Sequence, residues 1–183
     1  MSDVYKTIFK PTEPALFKDK NSKFFGYAFP VNNENEVKHH LEHLKKEHHS
    51  ARHWCYAYQI GTTEINYRVN DDGEPNNSAG MPIYGQIQSF QLTNILIVVV
   101  RYFGGVKLGV SGLINAYKTT AQLAIENAKI IEKTINAQFE VHFDYTQMNQ
   151  VMRIIKENQL TILEQHFEQD CKLKIEVRLS EYE

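Results

Sequence analysis

The 183-residue sequence has no apolar run long enough to span a membrane, and residues 1–6 lack the apolar stretch of a secretory signal. It has only two cysteines, Cys55 and Cys171, and no Cys-x-x-Cys pair. This pattern excludes a cysteine zinc site and favours reduced thiols over a disulfide. Internal repeats and low-complexity segments are also absent. These absences predict a soluble, cytoplasmic protein that binds no membrane.

The charges are nearly balanced, with 20 Lys and Arg against 22 Asp and Glu, which gives a net charge of −2. This balance argues against a surface that is basic all over, although a local basic patch is compatible with it. The apolar fraction of 42% is ordinary for a globular protein, so a core can form. The length allows one large domain or two small ones.

Hydrophobic periodicity predicts an α+β fold for the first part of the chain. Residues 95–100 are all apolar, as in a strand that is buried on both faces. The helix expected after Ser111 has a face of small residues that permits close packing on a sheet. The pattern predicts strands at 22–31, 54–60, 64–69 and 95–103, and helices at 34–48, from 78 onward and at 111–130.

The pattern changes near residue 133. A strand is expected at 139–143, a helix at 146–158, and strands at 161–167 and 171–179. In the last strand, every second residue is apolar and is expected to face inward, ending with Leu179. This β-α-β-β order predicts two domains, comprising residues 1–133 and 134–183.

An acidic turn, Asp71-Asp72-Gly73-Glu74-Pro75, places three carboxylates within four residues. Such a group can bind Mg²⁺ through one or two carboxylates, or hold a general base. It also fits an Asx-type turn, in which Asp71 or Asp72 accepts bonds from nearby backbone N–H groups. The turn is favoured because one loop supplies too few ligands for a metal cage, so neither a metal nor a cofactor is expected.

A glycine-rich turn follows the apolar strand and leads into the next helix. This order is the geometry that binds phosphate, because free backbone N–H groups and the helix dipole face the anion. Its spacing matches neither of the two common glycine-rich nucleotide motifs, which slightly favours a purely structural role. The candidates for anion binding here are Arg101, Gly104, Gly105, Lys107, Gly109, Ser111 and Gly112.

Further candidates lie near these turns in the sequence. Arg52, Arg101, Tyr102 and Lys107 would hold phosphate or stack on bases if they share a surface. Alternatively, Arg101 pairs with one carboxylate of the acidic turn, which would rigidify both turns.

His53 can act as an acid or base near neutral pH, and Cys55 shares its strand face. A packing role is favoured, because a nucleophilic thiol also needs a third, orienting group. His39 and His43 also share a helix face, but no third metal ligand accompanies them and a solvated face is favoured.

Four segments in register carry a resemblance to a known family. They are 20–24, 51–58, 71–75 with 79–82, and 99–109 with Leu113, Ala116 and Tyr117. Together they resemble the YigZ/Impact family over residues 1 to about 130, and the tail resembles the C-terminal domain of bacterial members. One departure is Asn77-Ser78, where the family has Gly-Thr. Ser78 keeps the hydroxyl, and Asn tolerates a left-handed backbone.

The resemblance implies a two-layer first domain like the second domain of a small-subunit ribosomal protein, with helices on one side of a curved sheet. It implies a tail like a ferredoxin-type domain of elongation factor G. Eukaryotic Impact proteins restrain an amino-acid-starvation kinase by competing for its ribosome-associated activator. For bacterial members, the resemblance suggests contact with nucleic acid or the ribosome.

Two functions are therefore expected as alternatives. The first is a non-catalytic regulatory protein that contacts RNA, the ribosome or a translation-linked protein through the two turns. The second is an enzyme acting on a phosphorylated small molecule or nucleotide, with Asp72 or Glu74 as base or Mg²⁺ ligand. Both require the acidic and glycine-rich turns to share one surface, and both leave the oligomeric state open.

Overall fold

The structure, a computed structural model, describes residues 2–182. Its contacts divide the chain into two compact units. The first unit is Tyr5–Glu132, and the second combines residues 133–182 with residues 2–4. The α+β class and the presence of two domains are confirmed, whereas the exact boundary after residue 133 stays a prediction.

An antiparallel five-stranded sheet forms the frame of the first unit. The first seven strands of the chain are β1 (Val4–Ile8), β2 (Ala15–Asp19), β3 (Ser22–Pro30), β4 (His53–Ile60), β5 (Asn66–Asn70), β6 (Ile95–Tyr102) and β7 (Ile130–Thr134). The order in the sheet is β2-β3-β6-β4-β5, while β1 pairs with β7 in a separate two-stranded sheet.

The apolar strand β6 is the centre of this sheet, as its sequence predicts. All six residues from Ile95 to Val100 are fully buried, because helices cover both faces. On one face, α2 (Gly80–Ser89) and α3 (Gly109–Glu126) pack on a core that includes Ile97 and Val99. On the other face, α1 (Glu34–Glu47) packs on Leu96 and Val98. The expected layer of helices on one side is thus joined by a helix on the opposite side.

Local sequence explains where α1 begins and ends. The side chain of Asn33 accepts a hydrogen bond from the backbone N–H of Glu36 at 2.9 Å, which caps the helix N-terminus. Val37 and Leu44, seven residues apart, are buried on one face. After the last turn, the His48 ring bonds to the hydroxyls of Tyr27 and Tyr102, which anchors the helix end to β3 and β6.

The second unit keeps the expected β-α-β-β order. Its elements are β8 (Asn136–Phe143), α4 (Met148–Glu157), β9 (Thr161–Phe167) and β10 (Cys171–Arg178). The three strands form an antiparallel sheet in the order β8-β10-β9. Cys171, Leu173 and Ile175 of β10 face a core shared with Phe143 and Ile155. The alternation in β10 is therefore read correctly from the sequence.

Two sequence expectations about these elements are wrong. Leu179 does not face inward, because β10 ends at Arg178 and Leu179 begins a short 3-10 turn with 37% of its surface exposed. The helix predicted for 111–130 ends at Glu126, and Ile130–Thr134 forms β7 instead. β-branched residues such as Ile130 and Ile131 favour strands, and a partner strand is available in β1.

No helix within residues 2–182 has both the length and the apolar character needed to cross a membrane. The sequence did not predict the strands β1 and β2, since each has only five residues and such short segments show little periodicity.

Close packing of α3 on β3 generates a testable prediction. A Cβ added to Gly26 would lie 2.9 Å from both the Cγ2 and the carbonyl oxygen of Thr120, too close for normal contact. Gly26→Ala should therefore lower the free energy of unfolding by about 1–3 kcal/mol in urea denaturation. Gly85→Ala is the control, because that helical site is open and alanine should stabilise it by about 0.5–1 kcal/mol. Equal effects of the two substitutions would contradict this packing.

Candidate functional site

The acidic turn and the glycine-rich turn meet at one cleft of about 510 Å³ in the first unit. Its lining comes from the start of β4, the acidic turn, the end of β6, the glycine-rich turn and the first residues of α3. The lining residues are Arg52, His53, Glu74, Pro75, Arg101, Phe103, Lys107, Leu108, Gly109, Val110 and Leu113. The two turns therefore share the surface that both functional alternatives require.

A buried ion pair forms the floor of the cleft. Oε1 of Glu74 accepts a hydrogen bond from Nη1 of Arg101 at 2.6 Å and another from the Tyr117 hydroxyl at 2.7 Å. Glu74 and Arg101 are only 8% and 5% exposed. Arg101 therefore pairs with a carboxylate of the acidic turn, which was one of the expected alternatives. The partner is Glu74.

The Arg101 guanidinium is held on its other sides as well. Its central carbon lies 5.5 Å from the ring centroids of both Phe24 and Phe103, which places it in cation–π range. Nη2 lies 3.4 Å from the Ser22 hydroxyl, which in turn accepts the backbone N–H of Gly104 at 3.1 Å. Nε of Arg101 is buried without a hydrogen-bond partner among the described residues. The pair thus connects β6, α3 and the acidic turn.

The two aspartates of the acidic turn bond to backbone. Oδ1 of Asp71 accepts the N–H groups of Ala79 and Gly80 at 3.1 and 2.8 Å, at the N-terminus of α2. Its Oδ2 accepts the N–H of Asn77 at 2.9 Å. Oδ2 of Asp72 accepts the N–H of Trp54 at 2.8 Å. Both carboxylates therefore accept backbone N–H bonds from residues six to eighteen positions away and join separate segments. The expected Asx-type bond from Asp71 or Asp72 is not what forms, and Asn70 instead accepts the N–H of Asp72 at 2.7 Å.

Residues 2–182 contain no group of three or more His, Cys, Asp or Glu side chains arranged to hold a metal ion. The two helix histidines have other neighbours. His43 lies 3.7 Å from Glu47, and the His39 ring contacts the His40 ring.

His53 is fixed in one tautomer by its neighbour. Its Nδ1 lies 2.8 Å from the carbonyl oxygen of Asp72, and since a carbonyl only accepts, Nδ1 carries the proton. The other ring nitrogen, Nε2, lies 3.6 Å from Oε1 of Glu74, so the ring stands beside the buried ion pair.

Cys55 is fully buried, and its thiol donates to the carbonyl oxygen of Asp71 at 3.0 Å. Burial raises the pKa of the Cys55 thiol, which keeps it protonated. His53 and Cys55 thus bond to separate carbonyl groups, and no nucleophile–base pair forms between them. Burial likewise raises the pKa of Tyr117, so its hydroxyl stays a donor to Glu74.

The glycine-rich turn owes part of its composition to a close backbone contact. A Cβ on Gly104 would lie 2.1 to 2.4 Å from backbone atoms of Asn21 and Ser22, so only glycine fits. Gly105 and Gly109 have positive φ angles of 89° and 76°. Lys107 and Gly109 line the cleft, whereas Gly104, Gly105, Ser111 and Gly112 are outside its lining.

Asn77 and Ser78, which depart from the family pattern, both suit the turn that they occupy. Asn77 has a φ of 62°, in the left-handed region that asparagine tolerates. The buried Ser78 hydroxyl donates to the carbonyl oxygen of Pro75. Ser78 therefore fixes the turn from inside and does not reach the cleft.

Sequence reasoning placed Tyr102 with the basic group and missed other residues. Tyr102 points to the α1 side, where its hydroxyl bonds to Nδ1 of His48 at 2.8 Å. The hydroxyl of Tyr117 was missed, since helical spacing predicts only that this residue packs inward. The apolar lining was also missed and comprises Pro75, Phe103, Leu108, Val110 and Leu113.

Comparisons with known proteins define the class. Residues 20–125 match the Impact N-terminal domain, and residues 141–183 match a domain of unknown function, DUF1949. The chain is thus a two-domain protein with an Impact-type first domain. IMPACT family member YvyE of Bacillus subtilis (strain 168) is 30% identical over 177 residues, covering 97% of this chain and 81% of the relative. The chain belongs to the IMPACT family.

Two further comparisons agree with this. An IMPACT family member of Haemophilus influenzae is 34% identical over 170 residues, covering 89% of this chain and 81% of the relative. The crystal structure of a hypothetical protein aligns with a TM-score of 0.79 at 24% identity, covering 100% of this chain and 89% of the other. The second likeness concerns the fold alone.

The ion pair on the cleft floor predicts a large effect of Glu74→Gln. Removing this charge leaves the buried Arg101 guanidinium uncompensated, which should lower the free energy of unfolding by about 3–5 kcal/mol. Glu47→Gln is the matched control, because it removes the same charge from an exposed pair with His43 and should cost less than about 1 kcal/mol. Urea denaturation of both variants measures the difference, and similar losses would show that the buried pair contributes little.

The burial of Cys55 predicts an unreactive thiol. In a Cys171→Ala variant, which isolates Cys55, the native protein should react with a thiol-specific reagent at pH 8 only as fast as it unfolds. Denaturant should release one rapidly reacting thiol. The absorbance of the released reagent product measures both rates. Rapid reaction of Cys55 in the native protein would revive the hypothesis of a nucleophilic cysteine.

Proposed function

We propose that this protein is a non-catalytic binding protein linked to translation, and that the cleft between the acidic and glycine-rich turns is its binding site. The observation that carries the proposal is the buried ion pair between Glu74 of the acidic turn and Arg101 near the end of β6, just before the glycine-rich turn. A pre-formed floor of this kind supports binding without rearrangement. The link to translation rests on what membership of the IMPACT family implies.

The charges at the mouth of the cleft support an anionic partner. Three cationic side chains, Arg52, Arg101 and Lys107, line the cleft against one carboxylate, Glu74. Arg101 is neutralised by Glu74, while Arg52 and Lys107 are exposed and form no ion pair among residues 2–182. RNA, the ribosome and acidic proteins all offer the anionic groups that these two cations would attract. Since the protein is net acidic, such attraction is local and sensitive to salt.

The enzymatic alternative gains less support from the same geometry. Its base or Mg²⁺ ligand would be Asp72 or Glu74. Oδ2 of Asp72 accepts the backbone N–H of Trp54, and Oε1 of Glu74 binds both Arg101 and Tyr117. A phosphorylated small molecule would therefore meet Lys107 and Arg52 before any free carboxylate.

The binding proposal predicts a salt-sensitive association with ribosomes. Wild-type protein should cosediment with purified ribosomes at low ionic strength and dissociate as salt rises, because counterions compete for Arg52 and Lys107. Combining Arg52→Glu with Lys107→Glu should reduce cosedimentation at least tenfold. These two residues are exposed, so the fold should be retained.

The matched control combines Lys38→Glu with Lys45→Glu, which makes the same charge change on α1, across the sheet from the cleft. It should leave cosedimentation nearly unchanged. If wild-type protein fails to associate at low salt, the RNA and ribosome versions of the proposal are wrong. If both double variants lose association equally, binding depends on net charge and the cleft is not the site.

A further inference from the structure

Large apolar residues are exposed in the lining of the cleft and directly beside it in the chain. Phe103 and Val110 belong to the lining, whereas Val106 precedes Lys107 and Ile114 follows Leu113. Phe103, Val106, Val110 and Ile114 are large apolar residues exposed over 41%, 46%, 53% and 37% of their surfaces. We call these four residues the apolar strip. Val110 and Ile114 are four residues apart on α3 and so share one helix face. Exposed apolar surface that is rimmed by polar residues is typical of protein-binding sites.

The apolar strip borders Arg52 and Lys107, the two cations of the lining that form no ion pair within residues 2–182. Phe103, Val110 and Lys107 line the same cleft, and Arg52 lies 5.7 Å from the Phe103 ring centroid. Since Arg101 and Glu74 neutralise each other, the exposed charge at the cleft mouth comes from Arg52 and Lys107. A complementary partner therefore combines apolar side chains with carboxylates.

Single-stranded RNA matches this surface poorly. Binding of single strands uses a basic groove together with aromatic rings on which bases stack. The cleft lining has two aromatic rings, Phe103 and His53. Two guanidinium groups already lie in cation–π range of Phe103, and the His53 ring bonds to the Asp72 carbonyl oxygen. The rest of the apolar wall is aliphatic or proline, namely Pro75, Leu108, Val110 and Leu113. Aliphatic side chains of a protein match such a wall better than nucleobases do.

We infer that the cleft binds an acidic peptide segment of a partner protein. In this arrangement, an aliphatic side chain enters the cleft against Leu108, Val110 and Leu113, and neighbouring carboxylates pair with Arg52 and Lys107. The inference rests on the proposed binding function and narrows its partner from any anionic molecule to a protein.

Selection from a random-peptide library on the immobilised full-length protein tests this inference. Peptides that also bind Val110→Asp are discarded by counter-selection. This exposed position tolerates a charge, and the charge makes the apolar wall of the cleft polar. Circular dichroism checks that the variant is folded. Recovered peptides are then synthesised with a fluorescent label, and their Kd values are measured by anisotropy for wild type, Val110→Asp, Lys107→Glu and the control Lys38→Glu.

The recovered peptides should be enriched in Asp and Glu next to Leu, Ile, Val, Met or Phe. Val110→Asp and Lys107→Glu should each raise Kd at least tenfold, and Lys38→Glu should leave it unchanged. A peptide with Lys in place of its Glu should bind Lys107→Glu better than wild type, which a merely structural effect of the substitution would not produce.

Three outcomes would overturn the inference. They are the recovery of no peptides, recovery of peptides without an acidic bias, and displacement of bound peptide by an unstructured oligouridine at equal concentration. If the protein cosediments with ribosomes but binds no peptide selectively, the inference of an acidic peptide partner is wrong, while the proposed binding function is retained. Selective peptide binding without any ribosome association would instead remove the link to the ribosome.

Discussion

The buried pair of Glu74 and Arg101 is the interaction on which the geometry of the cleft depends. A charge in the protein interior is costly unless a partner and additional hydrogen bonds compensate it. Here the guanidinium reaches the carboxylate at 2.6 Å, and the Tyr117 hydroxyl adds a second bond to the same oxygen. Because these side chains come from β6, the acidic turn and α3, satisfying the charge also fixes the three elements relative to one another.

The aspartates extend this constraint through the acidic turn. Asp71 binds the first N–H groups of α2, and Asp72 binds the N–H of Trp54 in β4. The turn therefore holds a helix N-terminus, a strand and a buried arginine at once. In the sequence, this cluster of three carboxylates suggests metal binding or acid–base chemistry. In the structure, the same carboxylates join the acidic turn to α2, β4 and β6.

Local patterns in the sequence were sufficient for much of the fold. The uninterrupted apolar run from Ile95 predicted a doubly buried central strand, and alternation from Cys171 predicted the last strand. The strand β7 escaped prediction because its stability comes from pairing with β1, far away in the chain. Periodicity within a short window carries no information about such a partner.

The outline of the candidate site was also predictable from local sequence patterns. Charged residues in two turns suggested a shared surface, and pairing of Arg101 with one of three carboxylates was among the alternatives. The choice of Glu74 depends on Tyr117, which lies 43 residues further along the chain. A tyrosine on a helix face has the same sequence pattern whether its hydroxyl meets water or a buried carboxylate.

The division between buried and exposed charge also determines what the cleft selects. Glu74 and Arg101 face each other, so a ligand gains little by competing for either charge. Arg52 and Lys107 remain in solvent, where they accelerate encounters and set the preferred sign of the partner more than they add affinity. Affinity must then come mainly from covering Val110 and its apolar neighbours, because water is released there at no electrostatic cost. A small phosphate alone would use the rim and leave this apolar wall in water, whereas a protein segment would cover both.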